Sequence, residues 1–183
     1  MLFRSKGNIQ SGQKVLINGA GGGAGTFAVQ IAKYFGAEVT GVDSTRKLDI
    51  MRSIGADHVI DYTKEDFTKN GQRYDLILDF AAHHSIFDYN RALSPKGIYV
   101  MVGGSNAQIF QGFLLGPLIS MTTSKKMGIL MHKPNKDLAF MKELFEAGKV
   151  KPVIDKRYPL SEVPEDLRYF GKGHARGKVV ITL

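Results

Sequence analysis

The stretch Val15-Leu16-Ile17-Asn18-Gly19-Ala20-Gly21-Gly22-Gly23-Ala24-Gly25 joins a short apolar run to a segment, residues 24–35, with apolar side chains at Phe27, Ala28, Ile31, Ala32 and Phe35. The first part reads as a buried strand; the second has one apolar stripe at helical spacing and stops at Gly36. A glycine turn between a strand and a helix is what anion binding requires. Glycines let the backbone turn sharply and approach a pyrophosphate with no Cβ in the way, and the free N–H groups and dipole of the helix N-terminus then hold the charge. Two registers fit, Gly19-x-Gly21-x-x-Ala24 and Ala20-x-Gly22-x-x-Gly25. The second is favoured, because Gly25 then lets the helix pack close to the strand.

Outward from this turn the same rhythm recurs. Strand-like runs stand at 14–18, 38–42, 58–61, 74–80, 97–102 and 127–131. Helical segments stand at 24–35, 45–54 and 135–147, the last two stopping at Gly55 and Gly148. Several runs are apolar on both faces, as strands covered on each side must be. The fold expected is α/β: a doubly wound parallel (Rossmann) sheet in three α/β/α layers, spanning residues 1–150. Residues 151–183 read as a strand–helix–strand tail, with strands at 152–160 and 177–183 and a helix at 161–170 capped by Ser161, with Pro164 in its first turn.

Asp43 ends the second strand, where a carboxylate accepts hydrogen bonds from the ribose hydroxyls of NAD. Arg46 and Lys47 point the other way, since cations here can hold the 2′-phosphate of NADP. The balance leans to NAD. Asp43 and Ser44 can also serve as helix caps.

Composition narrows the function classes. The 183 residues include 43% hydrophobic and 23% charged, a globular balance, and no cysteine. No disulfide framework, thiolate nucleophile or sulfur-ligated zinc site can be built from them. The formal net charge of +8 is spread without aromatic interleaving, so it reads as a basic surface rather than a nucleic-acid site. No apolar stretch is long enough to span a bilayer and no leader is visible at the start, so a cytoplasmic location is expected.

Other candidates are weighed against plainer roles. His83 and His84 follow the fourth strand, on the side expected for a nicotinamide; they read as a proton relay or as two solvated histidines. His58, His132 and His174 are isolated, and no spacing suggests a metal site. Asp75 and Asp79 lie on one side of a strand, as an acid–base pair or as strand ends held by loop contacts. The apolar run 110–121 has no helical stripe and reads as a pocket wall, a subunit interface or a core loop. A homodimer through it is expected.

Three segments resemble a known family: GGGAGTFAVQIAK (21–33), STRKLDIMRSIGADHVIDYTKEDF (44–67) and YPLSEVPEDLRYFGKGHARGKVVITL (158–183). They are similar to the zinc-type alcohol dehydrogenase/quinone oxidoreductase superfamily, the medium-chain dehydrogenases, and most to its quinone-oxidoreductase-like, NAD(P)-dependent branch. The glycine turn itself puts cofactor contacts at Ala20, Gly22, Gly23, Ala24 and Gly25 and the strand end puts Asp43 by the ribose, while the resemblance implies that Ser44 and Lys47 flank the adenosine ribose or its phosphate. It implies Tyr62 by the adenine, and Phe80, Ala81, Val102 and Gly103 toward the nicotinamide. It also implies a catalytic domain ahead of Gln10, where the zinc ligands of some members sit; with almost nothing before Gln10 here, no zinc and little turnover are expected. Asp43 departs from the small or neutral residue common in NADP-using members. The orphaned tail strands are expected to pair with each other or with a second chain. The reading is thus the NAD(P)-binding part of an oxidoreductase. An S-adenosylmethionine-dependent methyltransferase, which also uses a glycine turn and an acidic residue, and a non-catalytic dinucleotide module are the alternatives.

Overall fold

The computed structural model describes residues 7–130 and 137–183. Six strands form one sheet: β1 (Lys14–Asn18), β2 (Glu38–Asp43), β3 (His58–Asp61), β4 (Tyr74–Asp79), β5 (Leu93–Met101) and β6 (Lys126–Ile129). Their order is β3-β2-β1-β4-β5-β6, and each neighbouring pair is parallel. The chain winds outward in both directions from the β1–β4 junction, which opens a crevice at the carboxyl ends of those two strands.

Side-chain alternation divides the sheet into two cores. Val15 and Ile17 of β1, Leu76 and Leu78 of β4 and Val100 of β5 pack with α1 (Gly25–Tyr34), α2 (Leu48–Ser53) and α5 (Leu138–Glu146). Leu16, Ile77 and Tyr99, one residue out of phase, pack with α3 (Ile86–Ala92) and α4 (Asn106–Thr122) on the other face. Residues 15–17 and 76–78 are all fully buried. Each such side chain contributes about 1.5–3 kcal/mol of transfer free energy, which accounts for runs apolar on both faces. The expected α/β three-layer architecture is the one observed.

Three local readings are corrected. Residues 45–54 open as a 3-10 turn (Thr45–Lys47) before α2 begins at Leu48. Ser161 is not a cap: it sits inside a second 3-10 turn (Leu160–Glu162), and Glu162 stands at the N-cap of α6 (Val163–Gly171), with Pro164 in the first turn. The run 110–121 is no core loop but most of helix α4. Its inward face mixes glycines with apolar side chains: Ile119 is buried with Ile109 and Leu115 packed beside it, a Cβ on Gly116 would lie 3.2 Å from the Met127 carbonyl oxygen, and one on Gly112 would lie 3.1 Å from Ile129. With Phe110, Phe113, Leu114, Leu118 and Met121 apolar on the outer face as well, the helix has no single hydrophobic stripe to detect. Met131, His132 and Asn135, which entered the readings of the sixth strand, the isolated histidines and the following helix, lie outside the described residues.

The tail strands β7 (Ile154–Pro159) and β8 (Lys178–Thr182) pair with each other in parallel, with α6 as the crossover. Gln30 of α1 ties the tail to the sheet: its side-chain amide donates to the Lys151 carbonyl at 2.9 Å and accepts from the Lys151 N–H at 2.8 Å. Among the described residues no helix is long and apolar enough to cross a membrane.

Candidate functional site

A cleft of about 710 Å3 opens at the carboxyl ends of β1 to β5. Its floor is the glycine turn. Gly19, at φ +82°, and Ala20 donate to the Val42 carbonyl at 2.9 and 3.1 Å, which folds the turn back over β2. A Cβ on Gly25 would stand 2.1 Å from the Gly19 carbonyl oxygen and 2.6 Å from Ala20 Cα. The close approach therefore falls on Gly25, as the favoured register requires, whereas the tight turn falls on Gly19 and not on Ala20. Thr26 donates to the Gly22 carbonyl, but the N–H groups of Gly23, Ala24 and Gly25 have no acceptor among the described residues. They face the cleft as unanswered donors at a helix N-terminus. Lys178 of β8 brings its ammonium to 3.5 Å from where a Gly23 Cβ would stand, with no carboxylate partner among the described residues.

Asp43, nearly buried, occupies the next strand end. One carboxylate oxygen accepts from the Gly21 N–H at 3.0 Å; the other accepts from the Ser44 N–H at 2.8 Å and lies 3.4 Å from the Lys47 ammonium. Lys47 also donates to the Gly173 carbonyl at 3.3 Å, which draws the tail over this end of the cleft. Tyr62, beyond β3, donates its N–H to the Asp43 carbonyl and presents a half-exposed ring. Thr45 and Thr63 donate to the Asp61 carboxylate, and these bonds hold it down at about 2.

At the β4 end a buried carboxylate organises the wall. Asp79 accepts from Asn18 Nδ2 at 2.8 Å, the Tyr99 hydroxyl at 3.0 Å and the Ala81 N–H at 3.2 Å. The Tyr89 hydroxyl bonds to Asp79 in turn and accepts the N–H groups of His83 and His84 at 3.2 and 3.3 Å. Burial pushes Asp79 above the ordinary carboxylate range, and Tyr89 and Tyr99 are pushed up by burial and by its charge. Asp75 does not pair with Asp79; it accepts from the Lys14 N–H and the Ser94 hydroxyl, the plainer of the roles weighed for it.

Of the residues singled out in the sequence, Gly22 to Gly25, Asp43, Lys47, Tyr62, Phe80, Ala81, Val102 and Gly103 line this one cleft. Ala20 and Ser44 do not. Ala20 is wholly buried under the turn, and the Ser44 N–H is held back on Asp43. Asn18, Gly19, His83 and Gly173 line the cleft as well, brought there by the β1–β4 pairing and the tail. His83 stands beside Tyr62, ring centroids 6.1 Å apart, and its Nδ1 lies 3.0 Å from the Ala81 carbonyl oxygen, so its ring spans from the Tyr62 side of the cleft to Ala81. His84 is turned inward against Phe67, and burial lowers its pKa below the usual imidazole value. His58 pairs with Glu38 on the surface.

The family model described as zinc-binding dehydrogenase matches residues 54–181. The chain belongs to that family. It corresponds to the C-terminal, NAD(P)-binding part of the medium-chain dehydrogenases. It is 33% identical to the mitochondrial NAD(P)H oxidoreductase RTN4IP1 of Mus musculus, over 94% of this chain and 48% of that protein. It is 34% identical to 2-methylene-furan-3-one reductase of Solanum lycopersicum, over 96% of this chain and 42% of that protein. The chain spans about half the length of the curated relatives it matches. Its fold is that of the quinone oxidoreductase of Coxiella burnetii, with a TM-score of 0.82, 24% identity, and coverage of 97% of this chain and 55% of that one. Relatives include mitochondrial and chloroplastic proteins, which lend no support to a cytoplasmic location.

The family's name implies a metal, and its members' names a nicotinamide cofactor. The metal does not fit the residues present: the chain has no cysteine, and no group of three His, Asp or Glu side chains stands together among the described residues. The dinucleotide does fit. Its cradle is the place where a Cβ on Gly25 would collide with the turn and where three N–H groups lack acceptors.

Proposed function

We propose that this chain binds NAD or NADP in the cleft and is the cofactor-holding part of an NAD(P)-dependent oxidoreductase of the alcohol dehydrogenase/quinone reductase kind. The observation that carries this reading is the set of three N–H groups at the start of α1 that have no acceptor among the described residues, beside the Lys178 ammonium and one strand away from the Asp43 carboxylate. A pyrophosphate answers those donors, and the adenosine ribose then reaches Asp43. Tyr62 lies against the adenine, while Phe80, Ala81, Val102 and Gly103 bound the nicotinamide side and exclude water there. The bound nicotinamide supplies hydride chemistry at its C4.

The names of relatives support carbonyls, quinones or activated alkenes as the substrate class, since they include a quinone oxidoreductase of Triphysaria versicolor and an alkenal/one oxidoreductase of Arabidopsis thaliana. Within this reading residues 1–150 are the cofactor-binding domain, and residues 151–183 are a tail that joins the catalytic domain in full-length relatives. NAD is favoured over NADP, because a 2′-phosphate would bring negative charge against the nearly buried Asp43, which Lys47 only partly offsets. The chain pairs with a second copy through α4, whose Phe110, Phe113, Leu114, Leu118 and Met121 form an exposed apolar stripe.

Thermal unfolding with added ligands tests the reading. NADH at 100 times its Kd should stabilise the fold by about 2.7 kcal/mol, whereas S-adenosylmethionine, which has no pyrophosphate, should leave it unchanged. Stabilisation by S-adenosylmethionine and not by NADH would overturn the dinucleotide reading.

A further inference from the structure

The Asp43 end of the cleft carries a feature that the contacts above leave without a role. Four rings run in a row from the core to the cleft wall. Phe67, 1% exposed, takes the edge of His84 at 5.2 Å; His84 lies under His83 at 4.1 Å; and His83 faces Tyr62 at 6.1 Å, tilted by 54°. The outer two rings, Tyr62 and His83, both line the cleft. The His83 backbone is held by the Tyr89 hydroxyl, so its ring is mounted on the buried Asp79 network rather than on a free loop.

The ring of His83 has a fixed polarity. Its Nδ1 lies 3.0 Å from the Ala81 carbonyl oxygen, and a carbonyl only accepts. Nδ1 therefore carries the proton in the neutral ring, and Nε2, on the far side from that carbonyl, is an acceptor. Tyr62 is bonded through its N–H to the Asp43 carbonyl, so it adjoins the carboxylate that holds the adenosine ribose. A base attached to a ribose held at Asp43 would lie along Tyr62 with one edge toward His83.

We propose that His83 recognises the 6-amino group of the cofactor's adenine, accepting its hydrogen bond on Nε2 while Tyr62 covers a face of the base. The inference rests on the dinucleotide reading and deepens it: the cleft selects adenine over a base with an oxygen at that position. Hypoxanthine is that base, and it presents an acceptor where adenine presents a donor.

Fluorescence titration with NADH and with reduced nicotinamide hypoxanthine dinucleotide tests this on the wild-type chain, with His83→Phe as the partner experiment. The wild type should bind NADH about 3- to 10-fold more tightly, the range of one hydrogen bond. His83→Phe keeps a flat ring and loses the acceptor, so its affinity for NADH should fall to that for the hypoxanthine form, which itself should not change. His83 is exposed, so although His83→Phe loses the Nδ1 bond to the Ala81 carbonyl, its melting temperature should stay within a few degrees of wild type. Equal wild-type affinities for the two dinucleotides would overturn the role of His83 and leave the cofactor reading standing. So would a preference that survives in His83→Phe. Failure of the wild type to bind either would overturn both.

Discussion

At Gly25 one methyl group decides whether α1 can start against the turn. A Cβ there meets backbone at 2.1 and 2.6 Å, atoms that cannot swing aside as a flexible side chain would. Gly25→Ala should therefore cost about 1–3 kcal/mol, read as a lower urea midpoint at unchanged m-value; an unmoved midpoint would contradict the packing described. Asp43→Asn removes the charge that opposes a 2′-phosphate, and should raise affinity for NADPH relative to NADH about 10-fold in paired titrations. An unchanged ratio would take the discrimination away from Asp43. Asp79 makes a pH prediction. Burial holds its folded pKa above the ordinary value of 3.8, so the folded state binds the proton more readily than the unfolded chain. Its share of stability is present below about 3.8 and is lost as pH rises through the raised value. Denaturant titrations across that range should show the wild type losing stability relative to Asp79→Asn as pH rises, and a constant difference would contradict the assignment. The glycines and Asp43 were legible in the sequence because their chemistry is local to one turn and one strand end. Asn18 and Gly173 were not, since pairing with β4 and the folding-back of the tail bring them to the cleft. His83 was noticed as a residue of the loop after the fourth strand, but its neighbour Tyr62 was not foreseen, because position in the chain says nothing of the ring row that fixes it.

Among the elements, the central strands were readable for a plain reason: with helices on both faces, their middles must be apolar on both sides, and residues 15–17 of β1 and 76–78 of β4 are. Helix α4 was not readable. It turns Gly112, Gly116 and Ile119 inward and Phe110, Phe113, Leu114, Leu118 and Met121 toward water, so apolar residues stand on both faces and mark no single stripe. The tail strands showed their need of a partner in Val179, Val180 and Ile181, and they met it by pairing with each other. That pairing sets Lys178 beside the glycine turn, where it would face a phosphate bound there. Lys178→Ala should weaken NADH binding about threefold at low ionic strength, with the difference shrinking as salt is added. A variant equal to wild type at low salt would remove β8 from the site.

For the molecule as a whole, a net charge of +8 suits capture of an anionic dinucleotide. The exposed α4 stripe suits a second copy. Sedimentation should report a dimer that Leu118→Glu converts to monomer, and a wild-type monomer at micromolar concentration would contradict that pairing. The central claim is that the turn between β1 and α1 binds a dinucleotide, and Gly22→Asp addresses it directly. A Cβ at Gly22 meets nothing closer than the Gly19 carbonyl oxygen at 3.4 Å, so the variant should fold, while its carboxylate stands where the pyrophosphate must lie. Titration of both proteins with NADH, followed by nicotinamide fluorescence, is the measurement to make. Saturable binding by the wild type, with at least a tenfold loss in a folded Gly22→Asp, is the expected result. Equal binding by the two proteins, or none by the wild type, would contradict the assignment.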